Sequence, residues 1–196
     1  MMMMMNNKKK NISIITAVST NYVIGKDGLL PWSLPKDWEH FNRSTTNYPI
    51  IMGKRTFYEQ EDRPLPDRYT IVVTRDSSLL DKHGNVMEER IGHLSRASSI
   101  EDALKMLDDY SGDQVFIVGG RRIYEDSLYL ATELIITHVE AHVEGDTHLR
   151  LFPHQDEPNK DRNNHYWDVV NQVKHSKDDT HQYDFTIKYY QRSTNN

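Results

Sequence analysis

The apolar positions of this 196-residue chain fall into short, dense runs separated by longer mixed segments. Residues 12–18 form a nearly continuous β-branched and apolar run, the pattern of a strand buried on both faces. Residues 50–52, 69–74, 115–118 and 134–139 read the same way. Between them lie helical patterns over 36–45, 56–61, 100–109 and 122–130. The third carries Ser98 and Glu101 at capping-box spacing, with Ala103, Leu104, Met106 and Leu107 along one side. Strands alternating with helices predict an α/β fold, one domain with a mostly parallel central sheet and flanking helices. The ending differs: 166–173 and 183–190 predict a C-terminal antiparallel hairpin around the polar turn 177–180. The polar run 154–164 reads as a surface loop, residues 1–11 as a disordered tail, and 12–192 as the domain.

Composition narrows the function. A formal charge of -5 argues against a general nucleic-acid binder, which needs a basic surface to neutralise phosphates. No apolar run approaches the roughly 18 residues that span a bilayer, so no membrane partner is expected. The chain has no cysteine, which excludes disulfides and thiolate chemistry. At the start, Met1–Met5 precede Lys8–Lys10, the reverse of a secretory signal, and a cytoplasmic monomer is the expectation. His138 and His142 are four apart on a predicted strand end, with no glutamate after the first. They are expected to be structural or surface histidines rather than metal ligands.

Three segments carry candidate chemistry. Residues 29–41 read Leu-Leu-Pro-Trp-Ser-Leu-Pro-Lys-Asp-Trp-Glu-His-Phe, a loop stiffened by Pro31 and Pro35 that runs into a helix. On that helix Asp37, Trp38 and Phe41 crowd toward one side, which sets a carboxyl among aromatic rings. Such a carboxyl has a raised pKa and can hold or donate a proton near neutrality. The pair Gly119-Gly120 follows a buried strand and precedes a helix, so backbone N–H groups there can approach a ligand closely. It is not the G-x-G-x-x-G fingerprint. Gly53-Lys54-Arg55-Thr56 and Thr74-Arg75 add cations and hydroxyls at two neighbouring strand ends. That suits a dinucleotide with an extra phosphate, NADP over NAD. Arg68 closes the stiff Arg63-Pro-Leu-Pro-Asp loop and can take a carboxylate bidentately.

In this order and spacing, these segments resemble the dihydrofolate reductase family over about residues 12–190. The motifs are Val23-Ile-Gly25, Leu30-Pro-Trp32, Leu34-Pro35 with Asp37 and Phe41, and Pro49-Ile-Ile-Met-Gly-Lys-Arg-Thr56. They continue with Arg63-Pro-Leu-Pro66 and Arg68, Val118-Gly-Gly120 with Tyr124, Thr137-His138 and Glu144-Gly-Asp-Thr147. The resemblance implies NADPH as cofactor and dihydrofolate as substrate, with antifolates as inhibitors and tetrahydrofolate supplied for thymidylate, purine and amino-acid synthesis. Asp37 would hold the pterin and promote protonation at N5, Trp32 would order a water, and Thr137 would hydrogen-bond the acid. Leu30, Trp38, Phe41, Leu65 and Val118 would line the folate pocket, and Arg68 would clamp the glutamate carboxylate. Ala17 and Ile24 would border the nicotinamide. Gly53, Lys54, Arg55, Thr56, Thr74, Arg75, Gly119, Gly120, Arg121, Arg122, Ile123 and Tyr124 would hold the rest of the cofactor. Three departures stand out: Glu59-Gln-Glu-Asp62 at the pocket lip, Arg121 after the glycine pair, and Asn21 where an acid is common in the mobile loop. Two rivals share the fold, a riboflavin-pathway pyrimidine reductase and a non-catalytic scaffold. Trp32 with Asp37 speaks against the first, and the intact Asp37, Thr137 and glycines against the second.

Overall fold

The structure, a computed structural model, describes residues 9–153 and 158–194. Its elements in chain order are β1 (Asn11–Ser19), β2 (Val23–Gly25), α1 (Pro35–Thr45), β3 (Ile50–Gly53), α2 (Lys54–Glu59), β4 (Thr70–Val73) and β5 (Leu94–Ala97). Then follow α3 (Ile100–Lys105), β6 (Gln114–Ile117), α4 (Arg121–Ser127), β7 (Glu133–Val139), β8 (Thr147–His148), β9 (Trp167–His175) and β10 (Phe185–Arg192).

The β-branched run at the start becomes a central strand, paired in parallel with β6 on one side and β7 on the other. The eight-stranded order is β5-β4-β3-β6-β1-β7-β10-β9, and only β10 and β9 join antiparallel. β2 and β8 form a separate two-stranded ribbon. Because the central strands are covered on both faces, successive residues feed two cores. In β3, Ile51 joins Ile14, Ile71, Ile117 and Leu134, whereas Ile50 and Met52 join Phe57, Val72, Phe116 and Phe185. The second core also holds Trp32 and Leu34, which seats the loop before α1 against the sheet.

Differences from the sequence expectations have local causes. α2 begins two residues early, at Lys54, and ends at Glu59 because Glu61 and Asp62 both take left-handed φ angles of 59° and 56°. α3 is shorter than expected, and its cap is shifted by one. Ser99 accepts from the Asp102 N–H, while the Asp102 carboxylate accepts from the Ser98 N–H at 2.8 Å, so Glu101 is not the capping acid. β5 was not legible: its Leu-Ser-Arg-Ala sequence is short and half polar, yet Ser95 is buried and shares a hydrogen bond with the Tyr69 hydroxyl at 2.8 Å. β2 and β8, three and two residues long, were also missed.

The N-terminal tail expectation falls mostly on residues 1–8, outside those described, but Asn11 belongs to β1 and its side-chain amide donates to Gln114 at 2.7 Å. Of the polar run 154–164, residues 154–157 lie outside the described residues, and the rest is not simply a surface loop. Asp161 is fully buried there, accepting from Trp167 Nε1 at 2.8 Å and from the backbone N–H groups of Asn163 and His165. Those three bonds repay the desolvation of its carboxylate. β9 and β10 start one and two residues later than the hairpin pattern suggested, with a bulge opposite Tyr189/Tyr190.

Candidate active site

A large cleft opens where the parallel strands end, the place an open α/β sheet offers to ligands. Its volume is about 1990 Å³. Small-ligand pockets run to roughly 300–1,000 Å³, so this cleft has room for two ligands side by side. Every candidate residue from the sequence lines it except Leu65 and Arg68.

The acid sits where α1 begins. Pro35 occupies the first helical turn, where a missing N–H costs nothing, and it directs Asp37 inward from that turn. From β7, Thr137 Oγ1 donates to Asp37 Oδ1 at 2.6 Å. Burial pushes the Asp37 pKa up to about 6 from an ordinary 3.8, and the Thr137 hydrogen bond opposes part of that rise. Around the acid stand Trp32, 7 % exposed, and the stacked pair Trp38 and Phe41, with centroids 5.3 Å apart. Trp32 Nε1 is buried and has no hydrogen-bond partner among the described residues. Leu30 and Trp38 are about half exposed and form the cleft's rim, with Val118 on its floor side at the end of β6.

Arg68 is turned away from the cleft. Its guanidinium is buried against the C-terminal turn of α1, donating to Asn42 Oδ1 at 3.0 Å and Thr45 Oγ1 at 2.9 Å, while Nε donates to the Pro66 carbonyl at 2.9 Å. Burial pulls its pKa down. Leu65 packs on the second core. The resemblance implies both at the folate pocket; neither lines the cleft in the structure. At the lip, the four-residue departure resolves into the end of α2 and a left-handed turn, with Glu59 and Gln60 in the cleft wall.

The other half of the cleft is built for close backbone approach. The Gly119–Gly120 peptide is cis, and Gly119 has φ of +124°. A Cβ there would lie 3.2 Å from the Tyr124 hydroxyl oxygen, and one on Gly120 would lie 3.1 Å from Thr56 Oγ1. Tyr124 is itself locked, donating to the Ile15 carbonyl at 2.9 Å, and burial pushes its pKa up to about 12. Ala17, Ile24, Gly53 and Ile123 complete the apolar wall.

Cations ring this half, and most are already engaged. Lys54 pairs with Asp76 at 2.7 Å, Arg55 with Glu59 at 3.2 Å, Arg121 with Glu125 at 3.1 Å and Arg122 with Asp126 at 3.4 Å. Arg75 is exposed and makes no ion pair among the described residues. The four acids also line the cleft; sequence reasoning noted Glu59 only as a departure at the lip and passed over the other three. Of the four, three were visible as i, i+4 partners on helices; Asp76 was not.

The loop before α1 is tied to the segment after β7. The Asp27 N–H donates to Asp146 Oδ2 at 2.7 Å, and Lys26 pairs with Glu144 at 3.0 Å. Asn21 makes two further bonds to Val143, donating from Nδ2 at 2.8 Å and accepting at Oδ1. An amide suits that position because it both donates and accepts, which a carboxylate cannot. His138 is structural: burial and Lys188 lower its pKa to about 4, and it shares a 2.8 Å hydrogen bond with Tyr190, while His142 is exposed.

Comparison with known proteins agrees with this geometry. The family model described as dihydrofolate reductase matches residues 11–192. A dihydrofolate reductase of Bacillus subtilis is 35% identical over 182 residues, covering 92% of this chain and 94% of that protein. One from Staphylococcus haemolyticus is 33% identical, covering 92% and 95%. Among solved structures, the dihydrofolate reductase from Enterococcus faecalis complexed with NADP(H) and RAB-propyl superposes with a TM-score of 0.73 at 28% identity, over 93% of this chain and 96% of the other. With that coverage and the acid, glycines and cations all in one cleft, the chain belongs to the dihydrofolate reductase family.

Proposed function

We infer that this chain reduces 7,8-dihydrofolate to 5,6,7,8-tetrahydrofolate with NADPH. The observation that carries the reading is the buried Asp37, held by Thr137 in one half of a cleft whose other half is glycine-lined and cationic. Three glycines at close-approach positions and five nearby cations fit an anionic dinucleotide. Lys54, Arg55, Thr56, Thr74, Arg75, Arg121 and Arg122 would grip its phosphates. Ala17 and Ile24 would border the nicotinamide. When bound, NADPH supplies the hydride that reduces the C6=N5 bond of the pterin.

The chain's own residues do the rest. Asp37 orients the pterin through its amino group and holds a proton beside N5, and a carboxyl with a pKa near 6 can do so close to neutrality. The Thr137 bond fixes the carboxyl's rotation, and Trp32, whose ring N–H faces no protein acceptor, orders a water on the path to N5. Phe41 and Trp38 flank the flat rings of the substrate. The loop from Asn21 to Leu34 would exclude bulk water and keep donor and acceptor carbons in contact. Arg68 and Leu65 would take the substrate's distal glutamate end, Arg68 by exchanging an Asn42 or Thr45 bond for a carboxylate. Antifolates would occupy the same half-cleft.

The domain spans residues 11–192 and works as a cytoplasmic monomer; among the described residues no helix is long and apolar enough to cross a membrane. The test is loss of nicotinamide absorbance with NADPH plus dihydrofolate, against NADPH alone and NADPH plus a ribosylamino-pyrimidine. Oxidation only with dihydrofolate supports the reading. Oxidation only with the pyrimidine, or none by protein that binds NADPH, overturns it.

A further inference from the structure

The segment after β4 combines a free cation with a fixed anion. Arg75 is exposed without an ion-pair partner among the described residues, whereas Asp76, next in sequence, is pinned. The Asp76 carboxylate accepts from Lys54 Nζ at 2.7 Å and from Thr74 Oγ1 at 3.1 Å. Its backbone N–H donates to Thr74 Oγ1 at 3.1 Å, and its carbonyl accepts from Arg96 Nη1 at 2.9 Å. Four contacts fix one residue, and its carboxylate faces the cleft beside Lys54, Thr74 and Arg75.

A ribose 2′-phosphate entering here carries about two negative charges near neutral pH. It must draw Lys54 away from a carboxylate that Thr74 still holds beside the subsite, and it then shares the subsite with that carboxylate. An unphosphorylated ribose meets neither cost, and its hydroxyl can donate to the carboxylate instead. We propose that Asp76 is a cofactor-specificity residue that works against the 2′-phosphate and so narrows this chain's preference for NADPH over NADH.

The proposal rests on the NADPH reading above, and the experiment keeps the two apart. Dissociation constants for NADPH and NADH are measured by quenching of protein fluorescence for wild type, Asp76→Asn and Asp76→Glu. The isosteric asparagine keeps the Thr74 contacts and removes the charge. It is expected to tighten NADPH by about three- to tenfold, the size of one partly exposed charge contact, with NADH within about twofold of wild type. Asp76→Glu, which keeps the charge, is expected to stay near the wild-type ratio. Equal tightening of both cofactors, or weaker NADPH binding by Asp76→Asn, would overturn the proposal, since Asp76 would then be a general repulsion or a positioner of Lys54. A wild type that binds neither cofactor would instead remove the NADPH reading, and the proposal with it.

Discussion

Thr137, in the middle of the sheet, donates its hydroxyl hydrogen to the one carboxyl that lies at the mouth of α1, Asp37, at 2.6 Å. The bond stabilises the charged form, so it holds the acid's pKa below where burial alone would put it. Thr137→Val removes the donor while keeping the side chain's shape. Asp37 should then titrate higher, and the pH at which hydride transfer falls off should move up. Single-turnover rates across pH test this; an unmoved or lowered midpoint contradicts it.

The same raised pKa has a cost in stability. Between the ordinary value of 3.8 and about 6, the folded protein holds the Asp37 proton more tightly than the unfolded chain does. Stability from this site therefore declines as pH rises through that window and stays reduced above it. Asp37→Asn lacks the slope and should be more stable than wild type near neutrality by about 1–3 kcal/mol, with little difference near pH 4. Urea melts at the two pH values measure it. A variant less stable than wild type at neutral pH would show that the carboxylate is not under strain.

Arg75 is the exposed, unpaired cation of the cofactor half among the described residues. Arg75→Ala should weaken NADPH by about 10- to 100-fold, the range of a charge-assisted phosphate contact, and leave NADH within about twofold. Equal weakening of both would mean that Arg75 does not read the 2′-phosphate.

Asp161 makes a structural prediction far from the cleft. Its carboxylate caps the indole of Trp167, the large side chain that closes the core at the start of β9. Asp161→Ala leaves a buried N–H without its acceptor and should cost about 2–3 kcal/mol, read as a lower urea midpoint with catalysis per folded molecule unchanged.

Much of this was legible in the sequence because the residues declare themselves by type. The run from Ile12 could only be a doubly buried strand, and Asp37 is set off by Pro35 and ringed by Trp32, Trp38 and Phe41 within a few positions. Gly119 and Gly120 stand at a strand–helix corner for the same reason. What was missed depends on contacts between distant segments. Asp76 meets Lys54 across 22 positions, Arg68 is anchored to α1 through Asn42 and Thr45, and β5 is held by its neighbour rather than by its own polar sequence. Glu61 and Asp62 end α2 in the left-handed region, which aspartate visits readily but glutamate seldom does, so Glu61 gave no sign of it.

Asp37 is the group that would bring a proton to the pterin without touching the cofactor. The most direct measurement compares wild type with Asp37→Asn in NADPH oxidation with dihydrofolate, alongside an NADPH binding titration of each. Turnover of Asp37→Asn should be lower by about 10²- to 10⁴-fold with the NADPH dissociation constant nearly unchanged. Turnover within a few-fold of wild type, or an equal loss in cofactor binding, would contradict it.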